Sequence, residues 1–280
     1  MRSNTRTRPA QSAPQVADDD ARRATSLRAA PLLALALPVA LLVVWFLATD
    51  AAQVFRANQL PSPTQVLRTA ADLAAGGDLL RHVSASVGRV LTGFAIGATL
   101  ALLVSVLVGL SKVVEQALDP TLQGIRSVPS LAWVPFLLLW MGIGETPRVT
   151  LIAIGAFFPV YVNLVSGIRN VDRKLVEVGY VFGLSRAELV RRIIVPAALP
   201  YLLTGLRVGL GQAWLFLVAA ELIASVSGLG FMLIDGQNSA RPDIMMVAIL
   251  TLALLGKLSD GLLRTVERRA LAWTDTFQGR

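Results

Sequence analysis

Residues 149–168 read VTLIAIGAFFPVYVNLVSGI, twenty consecutive positions without a charged side chain. At about 1.5 Å of rise per residue a helix of that length spans about 30 Å, the thickness of a bilayer's hydrocarbon core. Two further runs, 31–48 and 90–110, are equally free of charge. Three others are interrupted: 118–144 by Asp119 and Arg126, 199–220 by Arg207, and 244–263 by Lys257 and Asp260. Ionisable groups are costly against lipid, so the interrupted runs are expected to face protein or water. Pro129 and Pro135 are expected to break the third. The reading is an all-α integral membrane protein with about six transmembrane helices.

Composition agrees. Hydrophobic residues make up 54% of the 280 and charged ones 16%, against about a quarter charged in a soluble domain. There is no cysteine, which excludes disulfides, thiolate metal sites and cysteine nucleophiles, and the single histidine, His82, excludes a histidine metal cluster. No metal, cofactor or catalytic constellation is expected. The net charge of +8 would suit nucleic acid, but its distribution follows membrane topology. With the N-terminus in the cytoplasm, eighteen of the 26 Lys and Arg residues fall in inside segments, and only Arg56, Arg68, Arg81, Arg148 and Arg241 fall outside. Both termini are thus expected in the cytoplasm. Residues 1–30, rich in Arg, Ala, Ser and Asp, are expected to form a disordered cytoplasmic tail. The first run is longer than a signal peptide's apolar core and is preceded by about thirty residues, so it is expected to be retained. The transmembrane domain would then occupy 31–265, with 266–280 a cytoplasmic C-terminal tail.

Between the first two runs, Ser62 and Pro63 suit the N-cap and first position of a helix. Val66, Leu67, Ala70, Leu73 and Ala74 would form its apolar face, and Gly76 and Gly77 its end. The spacings Gly93-x-x-x-Gly97 and Gly205-x-x-x-Gly209 allow close helix packing.

The segment 169–196 has the pattern of a helical hairpin. Asp172 can cap a first helix carrying Leu175, Val178, Val181 and Phe182, and Gly183 can end it. Ser185 and Glu188 have capping-box spacing for a second helix. That helix sets Leu189, Val190, Ile193 and Ile194 apart from Arg186, Arg191 and Arg192, and Pro196 and Pro200 would mark the start of the fifth span. On this evidence alone the hairpin could lie on lipid headgroups or dock on a partner.

The order Glu177, Gly183, Ile193, Pro196 resembles the EAA loop of binding-protein-dependent ABC permeases, with Val178 and Gly179 where that family's loop has two alanines. Leu60–Pro63, Arg126-x-x-Pro129, Trp140-x-Gly-Ile-Gly144, Phe158-Pro159-x-Tyr161-x-Asn163, Gly167–Asp172, the stretch from Glu221 to Ser227-Gly-Leu-Gly230, and Glu267-Arg-x-x-Leu-x-Trp273 are similar to the nitrate/sulfonate/taurine group. Phe158–Asp172 and Glu177–Ser185 are most like aliphatic sulfonate permeases. The resemblance implies a type I ABC importer permease fold in the cell inner membrane. It implies that the loop, through Glu177, Gly183, Leu184, Ser185, Arg186, Ile193 and Pro196, docks on a separate ABC ATPase subunit. It also implies a periplasmic or lipid-anchored substrate-binding protein and a second permease copy.

No phosphate loop is present: Gly256-Lys257 is the only Gly-Lys pair, with Thr251 at the earlier glycine position and Leu258 following. ATP hydrolysis is expected on another chain. His82 with Ser84 or Ser86 is the only Ser/His neighbourhood, and His82 reads as a solvated interface residue. Arg126 and Arg207 could stabilise a passing sulfonate, or could snorkel or pair with Glu221, Asp235 or Asp260. Glu221 could lie near an outer gate or hold an intramolecular partner. The rival readings are an ATPase-independent transporter and a membrane-embedded enzyme.

Overall fold

In lipid every backbone polar group must find its partner within the protein, which leaves helices and closed barrels as spanning structures. The computed structural model describes residues 36–52, 54–56 and 58–272, and all their regular structure is helical. They divide into two units, the first ending at Thr64 and the second beginning at Gln65. The expected tail 1–30, the start of the first span and Trp273 lie outside the described residues.

In the first unit, helix α1 (Ala36–Ala51) is apolar and widens to a π turn over Leu47–Ala51. The Trp45 indole donates to the Pro61 carbonyl at 3.1 Å, and Thr64 donates to Asp50 at 3.0 Å.

Helix α2 (Pro63–Ala75) starts at the expected proline and is followed by Gly77 at φ 80°. Its buried side chains are Val66 and Thr69, whereas Leu67 and Ala74, expected on the apolar face, are exposed. Thr69 takes its place by polar bonding: its hydroxyl donates to the buried Asp243 carboxylate at 2.8 Å, which Arg241 also meets at 2.7 Å.

Among the described residues, four helices are long and apolar enough to cross a membrane. They are α3 (Asp78–Leu110), α6 (Glu145–Arg169), the helix from Arg186 to Ile223, and α11 (Pro242–Ala270). Helix α6 is central: 61% of its most apolar stretch is buried inside the protein, against 11% for α11. Both glycine motifs face α6. A Cβ on Gly93 would lie 2.6 Å from Ile152, and one on Gly97 would overlap the Ala153 carbonyl. From the other side, Gly205 comes within 3.2 Å of the Val160 Cα and Gly209 within 3.1 Å of the Ala156 carbonyl by the same measure. Val90, Ile152, Ala156, Leu210, Ala213 and Leu217 fill the resulting seam.

The third expected span is two helices, α4 (Lys112–Ser127) and α5 (Val134–Met141), the latter entered through a 3₁₀ turn, Ser130–Trp133. The two halves meet at 89°. Pro129 makes the break, forcing Val128 to extended geometry (ψ 126°). Pro135 does not: it sits in the first turn of α5, where a missing N–H costs nothing. This pair is a candidate fifth span.

The fifth expected span is also longer than the sequence reading made it. Helix α8 (Arg186–Leu189), a π turn (Val190–Ile194) and α9 (Val195–Ala224) run on without interruption. Pro196 therefore does not separate hairpin from span. Proline cannot donate to the carbonyl four residues back and crowds it. The chain accommodates this by widening one turn, with Val195 N–H donating to Val190 O. After α9 come α10 (Leu229–Asn238) and α11. The latter carries residues 266–270 of the expected tail as helix.

Candidate functional site

Residues 169–196 form the expected helix–turn–helix, although the second helix runs on past Pro196 into α9. Asp172 accepts from Lys174 N–H at 2.9 Å and starts α7 (Arg173–Val181). Gly183 stands at φ 70°, where a side chain would strain the backbone. Gly183 N–H donates to Tyr180 O and Leu184 N–H to Gly179 O, the paired bonds of a Schellman helix end. Leu184 then packs over Gly179, together with Ile193 and Leu189. A Cβ at residue 179 would lie 2.8 Å from Ile193 Cδ1, so glycine lets α7 sit close on the π turn. Ser185 and Glu188 form the full capping box, and Glu188 pairs with Arg192 at 3.3 Å.

Leu189 is buried beneath the hairpin, while Arg186, Arg191 and Arg192 are exposed. The tip is apolar and open: Val181 is 86% and Phe182 80% exposed. Glu177, exposed beside it, pairs with Arg173, one turn earlier, at 3.2 Å. Ser185 and Arg186 are exposed, and Leu184, Ile193 and Pro196 half-buried. The structure thus brings the seven loop residues into one compact hairpin, with an unpartnered apolar face of Leu175, Val178, Tyr180, Val181 and Phe182.

At the other end of α9, Glu221 is 1% exposed. Its carboxylate accepts from Arg89 at 2.7 Å, from Ser86 at 2.8 and 3.0 Å, and from Gly230 N–H at 2.8 Å. Arg89 uses its whole guanidinium: it grips Glu145 bidentately at 2.6 Å per bond and donates to the Ser227 carbonyl and hydroxyl at 2.6 and 3.0 Å. Four elements, α3, α6, α9 and α10, are thereby tied together around the first turn of α10. Gly228, at φ 116°, must lack a side chain because a Cβ would overlap the Glu221 carboxylate. These bonds give physical reasons for Glu221, Ser227, Gly228 and Gly230 in one motif.

His82 is not a solvated interface residue. It is buried, stacks on Phe231 at 5.8 Å between centroids, and its Nδ1 accepts from Gly228 N–H at 3.0 Å. Ser86 donates to Glu221 and accepts from Leu229 N–H at 2.8 Å. Sequence reasoning did not single out Arg89. Its signal was the spacing His82, Ser86, Arg89, which places three polar side chains on one face of α3.

Arg207 pairs with Asp260 through two bonds, the longer 3.1 Å, and lies 3.8 Å from Glu267. Arg126 is exposed near the end of α4 and borders a cleft of about 200 Å³ between α4 and α6. The structure does not gather Arg126, Arg207 and Glu221 into one site. No group of three metal-ligating side chains is found among the described residues.

Membrane-length helices with charges folded inward, around a central helix, make this a multi-pass membrane protein. Within that class, the chain belongs to the family of binding-protein-dependent transport system inner membrane components, whose model matches residues 93–271. It is a permease subunit of an ABC importer. The permease protein SsuC of Bacillus subtilis (strain 168), named for aliphatic sulfonates transport, is 41% identical over 245 residues, 88% of each chain. Its namesake in Escherichia coli (strain K12) is 40% identical over 251 residues, 90% of this chain and 94% of that one. The taurine transport system permease protein TauC of Escherichia coli (strain K12) is 36% identical over 247 residues, 86% of this chain and 89% of that one. Among solved structures, the inward-facing MetNI methionine ABC transporter is similar in fold (TM-score 0.59, 20% identity, 70% of this chain and 98% of that one).

Proposed function

We propose that this permease subunit admits aliphatic sulfonates delivered by an external binding protein, and that the 169–196 hairpin couples it to a separate ATPase. The observation that carries the reading is the hairpin tip. Val181 and Phe182 stand exposed on a turn fixed by a Schellman end, a capping box and a left-handed glycine. Fixed apolar side chains ringed by Glu177, Arg186 and Arg191 suit a groove on a partner, because little ordering entropy remains to oppose docking. Identity of 40% and 41% to permeases named for aliphatic sulfonates transport supports the substrate class. Each chain offers one such hairpin, so two ATPase subunits call for two permease copies, with both termini on the ATPase side.

The test is uptake of a labelled alkanesulfonate by cells carrying this chain with its ATPase and binding protein, with taurine and nitrate as competitors. Gly183→Asp serves as the coupling control. Asp tolerates the left-handed region better than most residues, so the hairpin persists while a carboxylate enters the apolar tip. Uptake and co-purification with the ATPase are expected to be lost while membrane insertion is kept. Energised uptake by the variant at the parental rate refutes the coupling role, and uptake blocked best by nitrate refutes the sulfonate assignment.

A further inference from the structure

We infer that the cleft bordered by Arg126 holds the oxyanion head of the substrate within the membrane, an assignment that rests on the sulfonate-importer reading. The charged side chains set within or beside the spans differ sharply in what surrounds them. Glu221 is saturated by Arg89, Ser86 and Gly230. Arg207 is already engaged by the two carboxylates of Asp260 and Glu267. Arg126 is exposed and forms no ion pair with a described residue.

The cleft beside Arg126 is polar on one wall and apolar on the other. Arg126 and Arg169 line it with one carboxylate, Asp119; Arg169 is held by Glu115 at 3.0 Å, which leaves Arg126 as the lining cation without a carboxylate partner among the described residues. Asp119 is already engaged: it accepts from the Tyr161 hydroxyl at 2.6 Å and the Gln123 amide at 2.9 Å, and Arg169 lies 3.8 Å away. Ser166 and the free edge of Arg126 remain to donate to an oxyanion, and Phe158 offers an apolar surface to an alkyl chain. A guanidinium presents paired donors that match the oxygens of a sulfonate.

Depth supplies the second argument. Phe158 is the fourteenth of the 25 residues of α6, about halfway along a helix about 37 Å long. An exposed guanidinium at that depth is strongly disfavoured against hydrocarbon. This face of α4 therefore borders water or protein, as a translocation route requires, and the 89° bend that follows Arg126 ends the helix beside it.

The test uses the complete complex of permease, ATPase and binding protein in proteoliposomes, with ATP-driven uptake of radiolabelled methanesulfonate as the readout. Arg126→Gln removes the charge. Gln123→Glu keeps the guanidinium but sets a carboxylate one turn away, and it decides the matter if Arg126→Gln does not assemble. Each is expected to cut uptake about tenfold or more, the loss typical of a charge-assisted contact. Stimulation of the ATPase by loaded binding protein should persist, and Arg207→Gln should transport within about threefold of the parent. Parental uptake by both cleft variants overturns this assignment and leaves the importer reading intact, as does an equal loss in Arg207→Gln. Failure of the parent complex to take up methanesulfonate overturns the sulfonate reading, and the cleft assignment with it.

Discussion

Arg89→Gln should be among the most damaging single substitutions in the bundle. Glu221 would keep its bonds from Ser86 and Gly230 but lose its only cation, while remaining 1% exposed. Glu145, the other carboxylate Arg89 holds, has a side chain 60% exposed, so water replaces much of that interaction. The cost is set by the stranded Glu221 charge, and breaking a buried pair from one side typically costs about 3–5 kcal/mol. For a unit of this size each kcal/mol shifts Tm by about 2–4 °C, so a fall of about 6–20 °C is expected. Tryptophan-fluorescence melts of the purified chain in detergent micelles would measure it. Adding Glu221→Gln to Arg89→Gln removes the stranded charge and should recover at least about 1 kcal/mol relative to the single variant. A melt for Arg89→Gln within about 2 °C of the parent, or a double variant as unstable as the two singles added together, would refute the reasoning.

Gly97→Leu should force α3 off the Ala153 backbone, where no side chain can yield. Monodisperse protein recovered by size exclusion should collapse, while Gly88→Ala, with open space at its Cβ, should leave it unchanged. Thr69→Val removes a buried hydroxyl bond to the Asp243 carboxylate and should cost about 1.5–3 kcal/mol. Faster amide exchange across residues 63–75 would report it, and unchanged protection would refute it.

The membrane class and the hairpin were legible because each rests on local signals. A run of uncharged residues states its own solvent, and Asp172, Gly183 and the Ser185–Glu188 pair specify helix ends through bonds to their own neighbours. The ion network was not legible because its members come from four helices: Arg89 meets Glu221 across 132 positions of sequence. For the same reason His82 read as solvated when Phe231 and Gly228 cover it. Thr69 shows a second limit. An apolar-face rule assigned Leu67 to the interior, yet a buried carboxylate 174 positions away took the threonine instead. The prolines show a third. Pro129, Pro135 and Pro196 have the same backbone chemistry, but one breaks a helix, one opens a helix and one is absorbed by a π turn. Only the helical register decides which.

The unbroken helix from Arg186 to Ile223 makes the hairpin one end of a see-saw. Gly205 and Gly209 set its backbone against α6, and a pivot at that seam would lie about 30 Å from Arg186 and about 20 Å from Glu221. Rocking the rod there carries the two ends in opposite senses, and about two-thirds of any sideways stroke at Arg186 arrives, reversed, at Glu221. Because Glu221 is clasped by Arg89 and the first turn of α10, that stroke is shared at once with α3, α6 and α10. If the hairpin couples to an ATPase as proposed, a pull on it would reach the Glu221 cluster through continuous helix.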